Sequence, residues 1–275
     1  MGGRAVPLPV LALQRGAILF ALLVFLAPVG WLVTTAWKPA REIFSFPPTL
    51  SFTPTWDNFA TVFRFFDVAQ LSANSLIISG VGTLLSLALG IPCGYALARS
   101  GWRGAVGVAY FFLALRMVPP VATLIPFYLF MRDIGLLGTW WAVILLDTTL
   151  NTAFVVWMMF AWFRALPPEM EEAALVDGAS QTGAFLRIAV PMVKPGTVAC
   201  ALLCFMLSWN SFLFPAFLTT ADTKTLSVAL LTAYGTKDIT WGTMGALAHF
   251  STLPIVLLAL VLNRHFVQGL TRGFH

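Results

Sequence analysis

An all-α membrane protein with six transmembrane helices is the fold class this sequence predicts, on three observations. Of its 275 residues 59% are apolar and only 10% charged, with a mean hydropathy of +0.87; soluble domains run at about half apolar and about a quarter charged. The apolar residues arrive in blocks, at roughly 16–37, 72–98, 105–131, 140–163, 196–219 and 243–263. Each is near or above the ~20 residues a helix needs to cross ~30 Å of hydrocarbon. The blocks show no period-2 alternation, which favours helices over barrel strands, the other structure able to satisfy its backbone inside a bilayer. No internal repeat or low-complexity tract interrupts them, and residues 1–275 read as one membrane domain.

The first block is longer than a signal-peptide core, and Trp31 and Trp37 stand where cleavage needs small residues. It reads as a retained anchor. Residues 38–71 hold Pro39, Pro47, Pro48 and Pro54 before TWDNFATVF, and residues 220–242 hold TLSVALLTAYG. Both segments predict short helices along the membrane, serving either as caps on the bundle or as contacts for an external partner. In the third block, Pro119 and Pro120 follow Arg116 and predict a kink that frees backbone carbonyls. Cys93, Cys200 and Cys204 fall inside spans, where they read as small hydrophobes; no set of metal ligands accompanies them.

Lysine and arginine placement sets an orientation. With the N-terminus inside, Arg4, Arg15, Arg99, Arg103, Arg164, Arg187, Lys194, Arg264 and Arg272 fall on the cytoplasmic side, against Lys38, Arg41, Arg64, Arg132, Lys224 and Lys237 outside. That bias places both termini in the cytoplasm. The pI near 9.4 follows from the same bias; with no basic cluster interleaved with aromatics, nucleic acid is not an expected partner.

The polar loop 164–195 between the fourth and fifth blocks is the least membrane-like stretch. Pro167 and Pro168 end the fourth span and open a helix. Glu169, Glu171 and Glu172 lie in its first turn, where they complement the helix dipole. Gly178 suits a left-handed helix end. Ser180 suits the cap of a second helix through Phe185, Arg187 and Ile188, before Pro191 and Pro195 break the chain. Small Ala173 and Ala174 permit close approach by another protein; the alternative is a solvated loop. Gly178 and Gly183 have the spacing of a phosphate-binding loop, but Ala184 and Phe185 stand where Lys and Ser/Thr are required, so no ATP site is expected in this chain.

The run Glu172-Ala173-Ala174, Asp177-Gly178-Ala179, then Ile188 and Pro191, resembles the EAA motif of bacterial ABC-importer permeases. Asn74-Ser75, Ser208-Trp209-Asn210-Ser211-Phe212-Leu213 and Phe266-Val267-Gln268-Gly269-Leu270-Thr271-Arg272-Gly273 are similar to signatures of the carbohydrate, maltose-type (MalG-like) branch. The resemblance implies a type I ABC-importer permease fold in a bacterial cytoplasmic (inner) membrane, without catalytic residues or a cofactor of its own. It implies two ATPase subunits, which bind ATP and Mg, a second homologous permease and an extracytoplasmic solute-binding protein. It implies that the polar loop supplies coupling helices, with contacts among Glu171, Glu172, Ala173, Ala174, Asp177, Gly178, Ala179, Phe185, Arg187, Ile188 and Pro191. Gln268, Gly269, Leu270 and Thr271 would also touch the ATPases.

Charged groups inside spans are functional candidates by default. Arg116 lies about 11 residues into the third block and Asp147 about 7 into the fourth, at similar depths by ~1.5 Å per residue. Either they neutralise each other and fix helix register, or Arg116 lines the pathway for an anionic or hydroxyl-rich substrate. Asn151, Ser208, Asn210 and Ser211 are candidate hydrogen-bonding partners of sugar hydroxyls and Trp209 of a sugar face; interhelical bonds of ~0.6 kcal/mol each are the plainer alternative. His249 reads as a packed, hydrogen-bonded histidine. Two other classes fit the sequence less well. An ion-gradient transporter finds no inverted repeat here, and a membrane enzyme finds no cluster of His, Cys or carboxylates at one depth.

Overall fold

The computed structural model describes residues 8–49, 51–233 and 240–272. Its helices are α1 (Leu8–Trp37), α2 (Ala40–Ile43), α3 (Asp57–Phe65), α4 (Val68–Arg99), α5 (Ala105–Leu115), α6 (Pro120–Asp133), α7 (Trp140–Arg164), α8 (Glu169–Val176), α9 (Gln181–Ala184), α10 (Val190–Met192), α11 (Lys194–Trp209), α12 (Leu213–Leu218), α13 (Leu226–Thr232) and α14 (Trp241–Arg272), with a π-helical turn, Phe185–Ala189, between α9 and α10. No strand forms among the described residues; one isolated bridge joins Gly138 and Thr219.

Among the described residues four stretches are long and apolar enough to cross a membrane unbroken: Leu13–Trp37, Val68–Arg99, Trp140–Arg164 and Trp241–Leu258. The other two expected spans are bent. α5 and α6 meet at 84°. Pro119 and Pro120 cannot donate to the carbonyls of Leu115 and Arg116, so the expected kink is a full break. The expected continuous helix over 196–219 is corrected: α11 ends at Trp209 and α12 restarts at Leu213. Pro215 has no N–H for the carbonyl of Ser211, which instead accepts a hydrogen bond from Ser227 Oγ at 2.6 Å. At its other end α11 follows Gln181–Met192 at 74°.

The chain packs as two compact units. The first is Met1–Asp67 with Thr232–Phe250. The buried Asn58 side chain of α3 caps the end of α1, donating Nδ2 to the carbonyls of Ala36 and Lys38, each at 2.9 Å. Trp37, Trp56 and Phe59 form an aromatic cluster, and His249 lies edge-on to Phe59 and meets the Gly245 carbonyl at 2.8 Å, as its sequence reading anticipates. Lys38 is buried, with Nζ donating to the Thr49 carbonyl at 2.8 Å and 4.1 Å from the Trp31 ring centroid. The short helices expected within 38–71 are α2 and α3, and that within 220–242 is α13.

The second unit is Val68–Leu231 with Ser251–His275. Its axis is the packing of α4 on α7. Gly82, Ser86, Gly90 and Gly94 recur every four residues and so share one face of α4. A Cβ on Gly90 would stand 2.6 Å from Val155 Cγ1, and one on Gly94 would stand 3.0 Å from Met159 Cβ and the Val156 carbonyl. Small residues let two backbones approach closely, which is how helices associate in lipid. Cys200 and Cys204 of α11 are buried against this pair with Val155, Met159 and Phe163. Asn74 and Ser75 of α4 hold the loop before α13: Asn74 Nδ2 donates to the carbonyls of Asp222 and Lys224, Asn74 Oδ1 accepts from Trp140 Nε1, and Ser75 Oγ accepts from Leu226 N–H.

Candidate functional site

The polar loop folds largely as its sequence predicts. The carbonyl of Pro168 accepts the N–H groups of Glu171 and Glu172 at 3.0 and 3.1 Å, opening α8. Gly178, at φ +87°, closes it: Ala179 N–H bonds the Ala174 carbonyl at 2.9 Å and Gly178 N–H the Leu175 carbonyl at 3.1 Å. This is the Schellman arrangement. Ser180 Oγ accepts Gly183 N–H at 3.1 Å and caps α9. Past Phe185 the helix widens into the π turn and continues through Pro191 to Met192, so the break expected at Pro191 comes instead at Val193. Single-turn π insertions recur at functional sites.

The candidate coupling residues divide by direction. Glu172, Ala173, Asp177, Gly178, Arg187 and Pro191 are exposed, while Ala174, Ala179 and Ile188 are half-buried. Met170, Val176 and Leu186 are exposed among them, Val176 at 88%. Phe185 turns inward, its ring centroid 4.6 Å from Tyr95 and 6.3 Å from Phe163. Glu171, named among the coupling residues, points inward. It is buried, Oε2 accepting from Tyr95 Oη at 2.6 Å and Oε1 from Arg99 Nε and Nη2 at 3.0 and 2.6 Å.

Inside the spans, Arg116 and Asp147 form no ion pair within 4.0 Å. Asp147 is buried on α7 and accepts a hydrogen bond from Ser208 Oγ. Arg116, half-buried at the α5–α6 break, points Nη1 at Asn151 Oδ1 at 3.5 Å and lies 5.6 Å from the Phe154 ring centroid. Asp147 thus has Ser208, and Arg116 has Asn151, as its hydrogen-bond partner. Trp209 is a further correction: it is only 2% exposed, stacks on Phe205, and gives Nε1 to the Ser251 carbonyl at 2.8 Å. Its ring has no face left for a sugar. Asn210 is exposed and Ser211 half-buried at the α11–α12 break. The side chains of Gln268, Gly269, Leu270 and Thr271 lie outside the described residues, although the backbone there continues α14. Among the described residues no three His, Cys, Asp or Glu side chains gather as a metal site.

Residues 90–272 match the family described as binding-protein-dependent transport system inner membrane component. The chain belongs to this family. It is 33% identical over 253 residues to the probable ABC transporter permease protein y4oR of Sinorhizobium fredii, covering 91% of this chain and 90% of that one. It is 32% identical over 254 residues to the trehalose transport system permease protein SugB of Mycobacterium tuberculosis, covering 90% and 91%. Its fold matches a chain of the crystal structure of a bacterial ABC transporter involved in the import of the acidic polysaccharide alginate, with a TM-score of 0.77 and 22% identity over 97% of this chain and 100% of that one. The protein is thus a membrane-spanning permease component of a binding-protein-dependent importer, with the type I permease fold; the ion-gradient alternative finds no support.

Sequence reasoning about this permease missed Tyr95 and Arg99, the partners of Glu171. Arg99 counted there only toward charge balance. Their signal was a tyrosine and an arginine four apart on the last turns of an otherwise apolar span, hence on one face.

Proposed function

We propose that this chain is the permease subunit of an ATP-driven importer for a carbohydrate or a related polyol or sugar derivative, acting over residues 1–275 as one permease domain. Two ATPase subunits bind ATP and Mg and receive the coupling helices of the polar loop. A second homologous permease completes the pathway, and an extracytoplasmic solute-binding protein delivers substrate. Both termini face the cytoplasm. The observation that carries this reading is the loop itself: two capped helices joined at a left-handed glycine, presenting Glu172, Val176 and Arg187 to solvent while Glu171 and Phe185 turn inward. Family membership and the trehalose permease relative support the carbohydrate class.

On this reading Glu172, Ala173, Asp177, Gly178 and Arg187 meet the ATPase, and Ala174, Ala179, Ile188 and Pro191 support them. Gln268, Gly269, Leu270 and Thr271 add a second contact. Arg116, Asn151, Asn210 and Ser211 are the pathway candidates, with Asp147 holding Ser208 behind them. The test is a pull-down from detergent-solubilised native membranes through a tag on this chain. Recovery of ATPase subunits, a second permease and a binding protein is the expected result. Recovery of the chain alone, transporting in vesicles without ATP, overturns the proposal.

A further inference from the structure

We propose that Glu171, Arg99 and Tyr95 form a latch that fastens the coupling helix to α4, making Glu171 a positioning residue that transmits ATPase movement and not an ATPase contact. This rests on the coupling role proposed above.

α8 has eight residues, and helices so short do not hold themselves in water. It moves with the spans only if something ties it to them. The tie is a buried carboxylate with both oxygens occupied: Oε2 by Tyr95, and Oε1 by two nitrogens of Arg99. Arg99 Nη2 also donates to the Leu166 carbonyl at 3.3 Å, so one guanidinium binds α4, the end of α7 and α8 together. The aromatic group of Tyr95, Phe163 and Phe185 closes over the same junction. Charge-assisted bonds of this kind are the stronger class, and removing one partner strands the other as a partly buried charge.

The tie also has a destination. Tyr95 and Arg99 end the helix whose Gly82–Ser86–Gly90–Gly94 face is keyed into α7. α7 carries Asp147 and Asn151, the groups that bond Ser208 and Arg116. A displacement of α8 therefore passes through Glu171 into α4, and through the close α4–α7 packing to the polar cluster in the membrane. Glu172, one residue on and exposed, is free to face the ATPase. The adjacent glutamates thus have opposite tasks.

The experiment is amide hydrogen exchange on the co-purified complex in nanodiscs, with ATPase-subunit retention measured on the same samples. Glu171→Gln and Arg99→Glu are each expected to speed exchange across Glu169–Val176 about tenfold, with ATPase subunits retained. The exchange difference that ATP and Mg induce in α4 and α7 disappears in both. Tyr95→Phe, which removes one bond and keeps the fold, gives a smaller increase of about threefold. The exchanged pair Glu171→Arg with Arg99→Glu restores slow exchange and the ATP-induced difference. Unchanged exchange in all the single variants overturns the latch. So does loss of the ATPase subunits from Glu171→Gln with exchange in α8 unaltered, since Glu171 would then be a contact. If the wild-type chain recovers no ATPase, the importer reading fails, while the exchange comparison among variants still decides whether the latch exists.

Discussion

Two residues of the polar loop separate its tasks. Glu172 is exposed at the start of α8 and Gly178 ends that helix with a positive φ. Glu172→Arg reverses the charge offered to the ATPase without disturbing a buried contact. It is expected to abolish uptake while membrane insertion, assayed by protease protection, stays normal. Gly178 tests conformation instead of charge. A Cβ there meets nothing within 4 Å, so space is no obstacle. The left-handed backbone costs a β-branched residue about 1–2 kcal/mol, whereas asparagine visits that region more readily. Gly178→Val is expected to weaken ATPase retention about tenfold and Gly178→Asn much less. Equal losses would show that the glycine matters for close approach and not for its turn.

At the scale of elements, the α4–α7 packing makes a sharper prediction, because two glycines of one helix have opposite surroundings. A Cβ at Gly90 would collide with Val155 Cγ1 at 2.6 Å; one at Gly80 would meet nothing within 4 Å. Alanine raises helix propensity by about 1 kcal/mol at either site, so the difference isolates the collision. Gly90→Ala is expected to cost about 1–3 kcal/mol, read as a lower Tm in nanodiscs. Gly80→Ala is expected to leave Tm unchanged or raised. The sequence made some elements plain and hid others for physical reasons. Pro119 and Pro120 announced the α5–α6 break because a proline pair removes two consecutive donors. Pro215 announced nothing, since it sits in the apolar run Phe212–Leu218, which reads as the continuation of a span. Helix caps at Gly178 and Ser180 are local chemistry and were legible. The inward turn of Glu171 depends on Tyr95 and Arg99, some seventy residues earlier, and no local pattern carries that contact. Trp209 looked available for a sugar because its neighbours are polar; its burial is decided by Phe205 and by the Ser251 carbonyl on another helix.

At the scale of the whole molecule the question is where the energy for transport enters. The glycine spacing of the loop lacks the lysine and hydroxyl that hold phosphate, so the loop itself is not a phosphate-binding loop. A gradient-driven protein would couple through titratable or ion-binding groups at the bilayer midplane. Of the two candidates there, Asp147 is held by Ser208, while Arg116 lies 3.5 Å from Asn151 Oδ1 and 5.6 Å from the Phe154 ring centroid. On the proposed function energy arrives mechanically, through the loop. In right-side-out vesicles or proteoliposomes carrying the full complex with ATP enclosed, binding-protein-dependent sugar uptake is expected to stop when ATP is omitted and to persist when ionophores collapse the proton and sodium gradients. Arg116→Gln is expected to leave ATP hydrolysis intact and to slow uptake, by a larger factor for an anionic sugar than for a neutral one. Electrostatic attraction to a guanidinium in low dielectric grows with substrate charge, whereas a residue that only braces the α5–α6 break would slow both equally.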